Sequence, residues 1–427
     1  MSLTAEKCQK YSQILKEELV PALGCTEPTC VAYVSAKARQ VLGMEPDGIT
    51  IESSGNIIKN VKGAVVPNTG NLRGIEAAAV VGVFGGDADR ELEVLTDVKP
   101  EDLERAVEAA KQGFCKVKLL ETPANLHVIA TVTAEGGHYA SVEIVHTHTN
   151  IVRIEKDGEI LFSKPFDPND FNQSLTDRSC LNVKDILEYA DTADLSAVAP
   201  ILERQIECNT KISKEGLTHP YGACVGSTLL KYYGDDVKVR ARAAAAAGSD
   251  ARMSGCILPV VINSGSGNQG MTVSLPVIVY AKELGVSHEK LLRALALSNL
   301  LATHQKTAIG RLSAYCGAVS AACGAGAAIT YLCGGTYEQI CLTLVNSLGN
   351  VSGMVCDGAK PSCAAKIASA VDAAIMGHCM AMDHKMFEPG EGLISDDIES
   401  TIHNIGRLGH DGMRETDHEI LEMMVGE

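Results

Sequence analysis

The chain has no tryptophan and only six phenylalanines among its 427 residues. Large rings therefore cannot fill its core, and small side chains must close it by letting backbones approach. Positive charge is also in short supply. Lys and Arg number 37 against 53 Asp and Glu, a net charge of −16 and a pI near 5.2. That balance argues against a nucleic-acid footprint and against an anionic membrane surface. Met1 to Lys16 is polar and charged, with no apolar leader, which sets the expectation of a cytoplasmic protein. A disulfide framework is then not expected, and the 15 cysteines should be thiols. One stretch, Leu312 to Tyr337, carries no charge and is long enough to span a bilayer. Its Gly, Ala, Cys and Ser content, with few large apolar side chains, marks it instead as a buried central helix.

What is present suggests two or three domains on length and an α+β fold on pattern. Helical periodicity covers Glu6 to Val20, a stretch from Pro28 to Arg39, Leu72 to Val83, and Pro100 to Gln112. Strand-like runs occupy 49–52, 116–121, 127–134, 139–146, 150–155 and 159–162, with hairpin signals at Glu135–His138 and Lys156–Gly158. The polar segment 164–182 reads as a connection. Beyond it β signals fade, and eight helical stretches from Val183 to Met376 predict a mostly helical second half. The expected organisation is a mixed α+β domain at 1–182 and a helical domain at 183–427.

Four constellations could carry chemistry. Cys316, Cys356 and Cys363 sit beside glycines and small residues. Three thiolates are one short of a closed structural metal site, and an incomplete set leaves a position open for chemistry. Their spacing matches neither a ferredoxin nor a paired zinc pattern, and buried core thiols remain the alternative. Cys25, in Gly24-Cys-Thr-Glu-Pro28, precedes a helix opened by proline. The helix dipole should lower its pKa, which suits a nucleophile or a base; an inert thiol at the cap is the alternative. Asn263 to Gly270 is a glycine-rich turn between an apolar run and a helix, able to hold a carboxylate or phosphate, or to act as a plain turn. Ser54-Gly-Asn56 and Pro67-Asn-Thr-Gly-Asn71 are similar turns, the second leading into a helix with Arg73 in its first turn. His146 and His148 alternate as a strand would, which places both rings on one side, where a metal or ordinary hydrogen bonds could engage them. Lys306 lacks a recognisable pyridoxal-phosphate context.

Taken jointly, Pro21-Ala-Leu-Gly-Cys-Thr-Glu-Pro28, Ser54-Gly-Asn56, Pro67-Asn-Thr-Gly-Asn71, Asn263-Ser-Gly-Ser-Gly-Asn-Gln-Gly270, Leu312-Ser-Ala-Tyr-Cys316 and Gly353-Met-Val-Cys-Asp357 resemble the L-cysteine desulfidase family. That family is related to the iron–sulfur L-serine dehydratases. The resemblance runs from Pro21 to beyond Ile375. It implies an oxygen-sensitive 4Fe-4S cluster held by Cys316, Cys356 and Cys363 with one open iron, no pyridoxal phosphate, and Cys25 as base. It also implies a substrate pocket drawn from Glu27, Asn56, Asn68, Thr69, Asn71, Ser264, Ser266 and Asn268. A shorter spacing between the second and third ligands, and an end reading Met-Met-Val-Gly-Glu without a cysteine, favour desulfidase over serine dehydratase. The expected reaction is elimination from L-cysteine to sulfide, ammonia and pyruvate at a site between two domains of a homo-oligomer. L-serine dehydration, a hydratase-like reaction on a hydroxy acid, and a non-enzymatic amino-acid or redox sensor are the competing readings.

Overall fold

A computed structural model describes residues 3–173 and 175–425. The first half runs α1 (Ala5–Glu18), β1 (Pro21–Leu23), α2 (Thr26–Leu42), β2 (Gly48–Ser53), α3 (Gly55–Lys62), α4 (Ile75–Gly85), α5 (Pro100–Lys111), β3 (Cys115–Leu119), β4 (His127–Ala134), β5 (His138–Val145), β6 (Ile151–Lys156) and β7 (Glu159–Ser163). The second half runs α6 (Val183–Thr192), α7 (Ala199–Thr218), α8 (Val225–Tyr233), α9 (Val237–Met253), β8 (Pro259–Val261), α10 (Gly267–Leu284), α11 (His288–Ile309), α12 (Gly317–Leu332), α13 (Tyr337–Val351), α14 (Cys363–Met382), α15 (Ile398–Arg407) and α16 (Arg414–Val425). The fold class is α+β.

The six-stranded sheet has the order β3-β2-β4-β5-β6-β7. Only β2 and β3 are parallel; the other neighbours are antiparallel, with Ile51 opposite Ala130 and Ala130 opposite Val142. Alternation fixes this register, because Ile49, Ile51, Val128, Ala130, Val132, Ala140, Val142 and Ile144 all bury into one core with α2 and α4. Gly82 on α4 lets those two helices touch: a Cβ there would lie 2.3 Å from the Ala32 carbonyl oxygen. The edge strand β7 is exposed throughout.

The helical half closes around α12, which is buried from Ala318 to Leu332. Gly324 and Gly326 on it leave room for the backbones of Ser298 on α11 and Ala374 on α14. Small residues thus do the packing that aromatics do elsewhere. The charge-free stretch is one such core helix flanked by loops, and no described helix is long and apolar enough to cross a membrane.

Four features differ from the sequence reading. The turn at Ser54-Gly-Asn56 opens a short helix, α3, rather than remaining a loop. The helix expected from Leu72 begins at Ile75, and Arg73 instead pairs with Val65 in an isolated bridge. The helices α15 and α16 close the chain in a region for which the periodicity raised no expectation. Finally, the residues proposed as one unit, 1–182, divide in their packing. Tyr11, Ile14, Leu15 and Leu19 of α1 join the helical core, and β1 pairs antiparallel with β8. The polypeptide therefore crosses between the two bodies immediately before Cys25.

Candidate active site

One cleft is lined by Cys25 and Glu27 from α2, Arg252 from α9, Ser266, Asn268 and Gln269 from the glycine-rich turn and α10, Lys306 from α11, and all three of Cys316, Cys356 and Cys363. The sequence places these residues far apart, and four helix starts bring them together. Cys25 is the N-cap of α2, Ser266 of α10 and Cys316 of α12, and Cys363 is the first residue of α14. None of these caps is closed by a side-chain hydrogen bond. Free backbone N–H groups and the positive ends of four helix dipoles thus converge on one space, which favours bound negative charge.

Backbone hydrogen bonds hold the loops of Cys316 and Cys356 together. Tyr315 and Val355 form an isolated antiparallel bridge. Around it the Cys316 N–H donates to the Met354 carbonyl at 3.0 Å, and the Cys356 N–H to the Ala314 carbonyl at 2.6 Å. The Cys363 N–H donates to the Lys360 carbonyl at 2.9 Å. Asp357 ties down the loop between the second and third cysteines through Lys360 and Lys366. Burial, then the neighbouring Cys356, pushes the Cys316 thiol up to about 12, and burial also raises Cys363. A soft metal centre would therefore displace protons from these thiols on binding. Three thiols lining one cleft with several helix N-termini fit the donor chemistry of an iron–sulfur cluster.

Cys25 departs from expectation. The dipole argument predicts a lowered pKa, yet the thiol is held well above its ordinary value, first by complete burial and then by the Glu27 carboxylate; Arg252 opposes only part of this. Its Sγ donates to Glu27 Oε2 at 3.1 Å. Burial alone would raise Glu27, but His148, the Cys25 thiol and Arg252 outweigh it and hold the carboxyl at about 2. His148 Nε2 lies 3.9 Å from Glu27 Oε1, which is a charge contact rather than a direct hydrogen bond. The Thr26 hydroxyl sits 3.0 Å from Glu27 Oε2 and 2.9 Å from the Gly265 carbonyl, joining α2 to the glycine-rich turn.

Gly24 makes this geometry possible. It has φ of 63°, and a Cβ there would fall 2.2 Å from Cγ of Pro67. The Pro67–Asn71 turn therefore supports the cleft from outside. Its polar groups are used within the turn or against neighbouring backbone: Asn68 donates to the Leu95 and Thr96 carbonyls, the Thr69 hydroxyl to Val66, and Asn71 Oδ1 accepts from Arg73. Asn56 lies in a neighbouring cleft, where it donates to Asp417 of α16 at 2.8 Å. The Ser264 hydroxyl donates to Asn263 at 2.9 Å and borders a side cavity with Arg311 and Lys306. Of the expected substrate residues, Glu27, Ser266 and Asn268 face the thiols, whereas Asn56, Asn68, Thr69, Asn71 and Ser264 do not line that space.

The two histidines do not share a strand face. β5 ends at Val145, and His146 takes φ of 70°. Its Nε2 bonds the Asp167 carbonyl at 2.8 Å, while His148 turns toward Glu27. Sequence reasoning missed Arg252 and Gln269, and it set Lys306 aside. Lys306 is only 5% exposed, and burial depresses it to about 8 while Cys356 and Cys316 oppose the fall. Nothing in the alanine-rich run Val237–Met253 singles out Arg252; only the fold brings its guanidinium to Gly24.

Comparison with known proteins supplies the family. The model of the serine dehydratase alpha chain matches residues 89–422. A UPF0597 protein of Lachnoclostridium phytofermentans is 59% identical over 98% of this chain and 99% of its own length. A UPF0597 protein of Treponema denticola is 55% identical over the whole of both chains. The family model covers well over half of the sequence, and this chain belongs to the serine dehydratase alpha-chain family.

Proposed function

We propose that the protein is an iron–sulfur-dependent lyase that eliminates sulfide from L-cysteine. The observation that carries this reading is the single cleft holding Cys316, Cys356 and Cys363 opposite Cys25. The three cysteines would hold a 4Fe-4S cluster, which when bound supplies Lewis acidity at an iron without a protein ligand. The remaining chemistry belongs to the chain. The turn from Ser266 to Asn268 orients the substrate by its carboxylate at the start of α10, which pre-aligns the bonds to be broken. Cys25 is the base. It works from its thiolate form, which burial and the Glu27 carboxylate 3.1 Å away hold in the minority and Arg252 favours. The thiolate then takes the proton from the α-carbon, the Cα–H electrons form the Cα–Cβ double bond, and the Cβ–S bond breaks to release sulfide. The enamine product tautomerises and hydrolyses in water to pyruvate and ammonia.

A second reading, loss of water from L-serine on the same cleft, is favoured by the family's description as a serine dehydratase alpha chain. Anaerobic reconstitution with iron and sulfide, followed by assay of sulfide and pyruvate from each amino acid, separates the two. Sulfide and pyruvate in equal amounts from L-cysteine are expected. Pyruvate from L-serine with no sulfide from L-cysteine would replace the first reading with the second. Tight amino-acid binding without turnover of either would make the protein a sensor.

A further inference from the structure

We propose that Arg252 is the seat of the substrate's α-carboxylate, and that it sets which end of the amino acid faces which thiol. This rests on the reading that the cleft takes an amino acid. Arg252 is 2% exposed and sits at the end of α9. Two edges of its guanidinium are fixed: Nε donates to the Gly24 carbonyl at 2.9 Å, and Nη1 donates to Asn268 Oδ1 at 3.1 Å, with Met253 Sδ at 3.4 Å. Nη2 is buried and has no hydrogen-bond partner among the described residues. Glu27 and Cys25 feel its charge, but neither bonds to it. A buried guanidinium with an unused donor is costly unless an anion completes it.

The surroundings are built to this shape. A Cβ on Gly267, the first residue of α10, would lie 2.3 Å from Arg252 Nε and 2.7 Å from Cζ. Glycine at that position lets the guanidinium rest against the helix start. Ser266, the uncapped N-cap of the same helix, brings its hydroxyl and the helix N–H groups to the same corner. A carboxylate placed there would accept from Nη2 with one oxygen and from the α10 turn with the other, a charge-assisted arrangement that arginine suits better than lysine.

The position also gives direction. The Gly24 carbonyl that holds Nε precedes Cys25, so a carboxylate on Arg252 sets the adjacent α-carbon beside the Cys25 thiol. The β-carbon and its sulfur then extend toward Cys316, Cys356 and Cys363, which line the same cleft. Carboxylate, α-proton and leaving group would be read in order by Arg252, Cys25 and the cysteine trio.

The test compares acids with their uncharged counterparts. In the reconstituted enzyme, Arg252→Gln should raise KM for L-cysteine roughly ten- to a hundredfold, the range for one hydrogen bond to a charged group. KM for the more slowly turned-over L-cysteine methyl ester should rise by a much smaller factor, so the preference for the acid is what is lost. Gly267→Ala, which keeps the charge but displaces the guanidinium, should give the same loss of preference for the acid; it also decides the matter if Arg252→Gln does not fold. A parallel thermal-shift measurement uses L-alanine and L-alaninamide on the full chain, with no turnover required. Stabilisation by the acid alone, lost in both variants, supports the seat even if the lyase reading fails. Variants that keep an undiminished preference for the acid in both measurements would overturn it.

Discussion

The two ends of the proposed chemistry rest on different residues, so single substitutions should separate them. Cys25→Ala should abolish turnover while the visible absorbance of the reconstituted cluster remains; Cys356→Ala should lose that absorbance. Iron loss in Cys25→Ala would reverse the assignment of base and ligands. Glu27 has a less obvious effect. Its carboxylate raises the Cys25 pKa by charge and by hydrogen bond. Glu27→Gln should therefore lower that pKa and speed alkylation of Cys25 by a small thiol reagent at pH 8, read by peptide mass mapping. It should also raise turnover at neutral pH, because more of Cys25 is then thiolate. Faster alkylation together with slower turnover would show that Glu27 does more than restrain the thiol. This residue pair also marks a limit of what was legible. The sequence identified Cys25 and its helix start, and the dipole argument then gave the wrong sign for its pKa. Burial at 1% exposure and a carboxylate two positions along outweigh the dipole; Glu27 is visible in the local sequence, but the burial and the turn of its carboxylate onto Cys25 come only from the fold.

At the scale of elements, periodicity located most helices and the central strands of the large sheet because each buries one face, and the exposed edge strand β7 through its hairpin turn. It missed β1, whose three residues pair across the two halves with β8, itself inside the strand-like apolar run Ile257–Ile262, and α3, whose glycine and asparagine start resembles a turn. The glycine turn before α10 was legible as an anion-binding start, but its charged partner comes from the end of α9. That same helix carries a second buried charge with a measurable consequence. Asp250 is fully buried and accepts from the Gly226 N–H at 3.1 Å; burial raises its pKa to about 6, with the Gly226 and Val225 amides opposing. The native state thus keeps this proton to higher pH than the unfolded chain does. Stability from this group falls as pH rises from near 3.8 to about 6 and is level above. Asp250→Asn cannot ionise and keeps the acceptor oxygen. It should stabilise the protein by roughly 1–3 kcal/mol at pH 8 in urea titration and by nothing below pH 4. A gain independent of pH would refute this account.

Across the whole molecule, the two bodies are laced at several points rather than joined by one linker. The helix α1 belongs to the helical body, α2 to the sheet, and α16 returns from the far end to close over α3. There Asp417 pairs with Lys59, which is 1% exposed, and accepts from Asn56. Leu421 packs on Gly55. On its other side α3 meets the loop between Cys356 and Cys363: a Cβ on Gly358 would lie 2.6 Å from the Lys59 carbonyl. Asp417→Ala leaves Lys59 buried without its carboxylate and should cost about 3–5 kcal/mol in denaturant unfolding. The apolar pair Lys59→Met with Asp417→Leu should recover most of that loss; a double variant as weak as the single one would show that packing, not charge, governs the contact.

The backbone bridge between Tyr315 and Val355 carries a consequence for the protein's life in air. Because polypeptide hydrogen bonds hold the loops of Cys316 and Cys356 side by side, their meeting does not depend on inorganic sulfur or iron. On the proposed function, a chain that lost its cluster to oxygen would keep these two loops in place, and refilling the site would be a repair completed without unfolding or new synthesis.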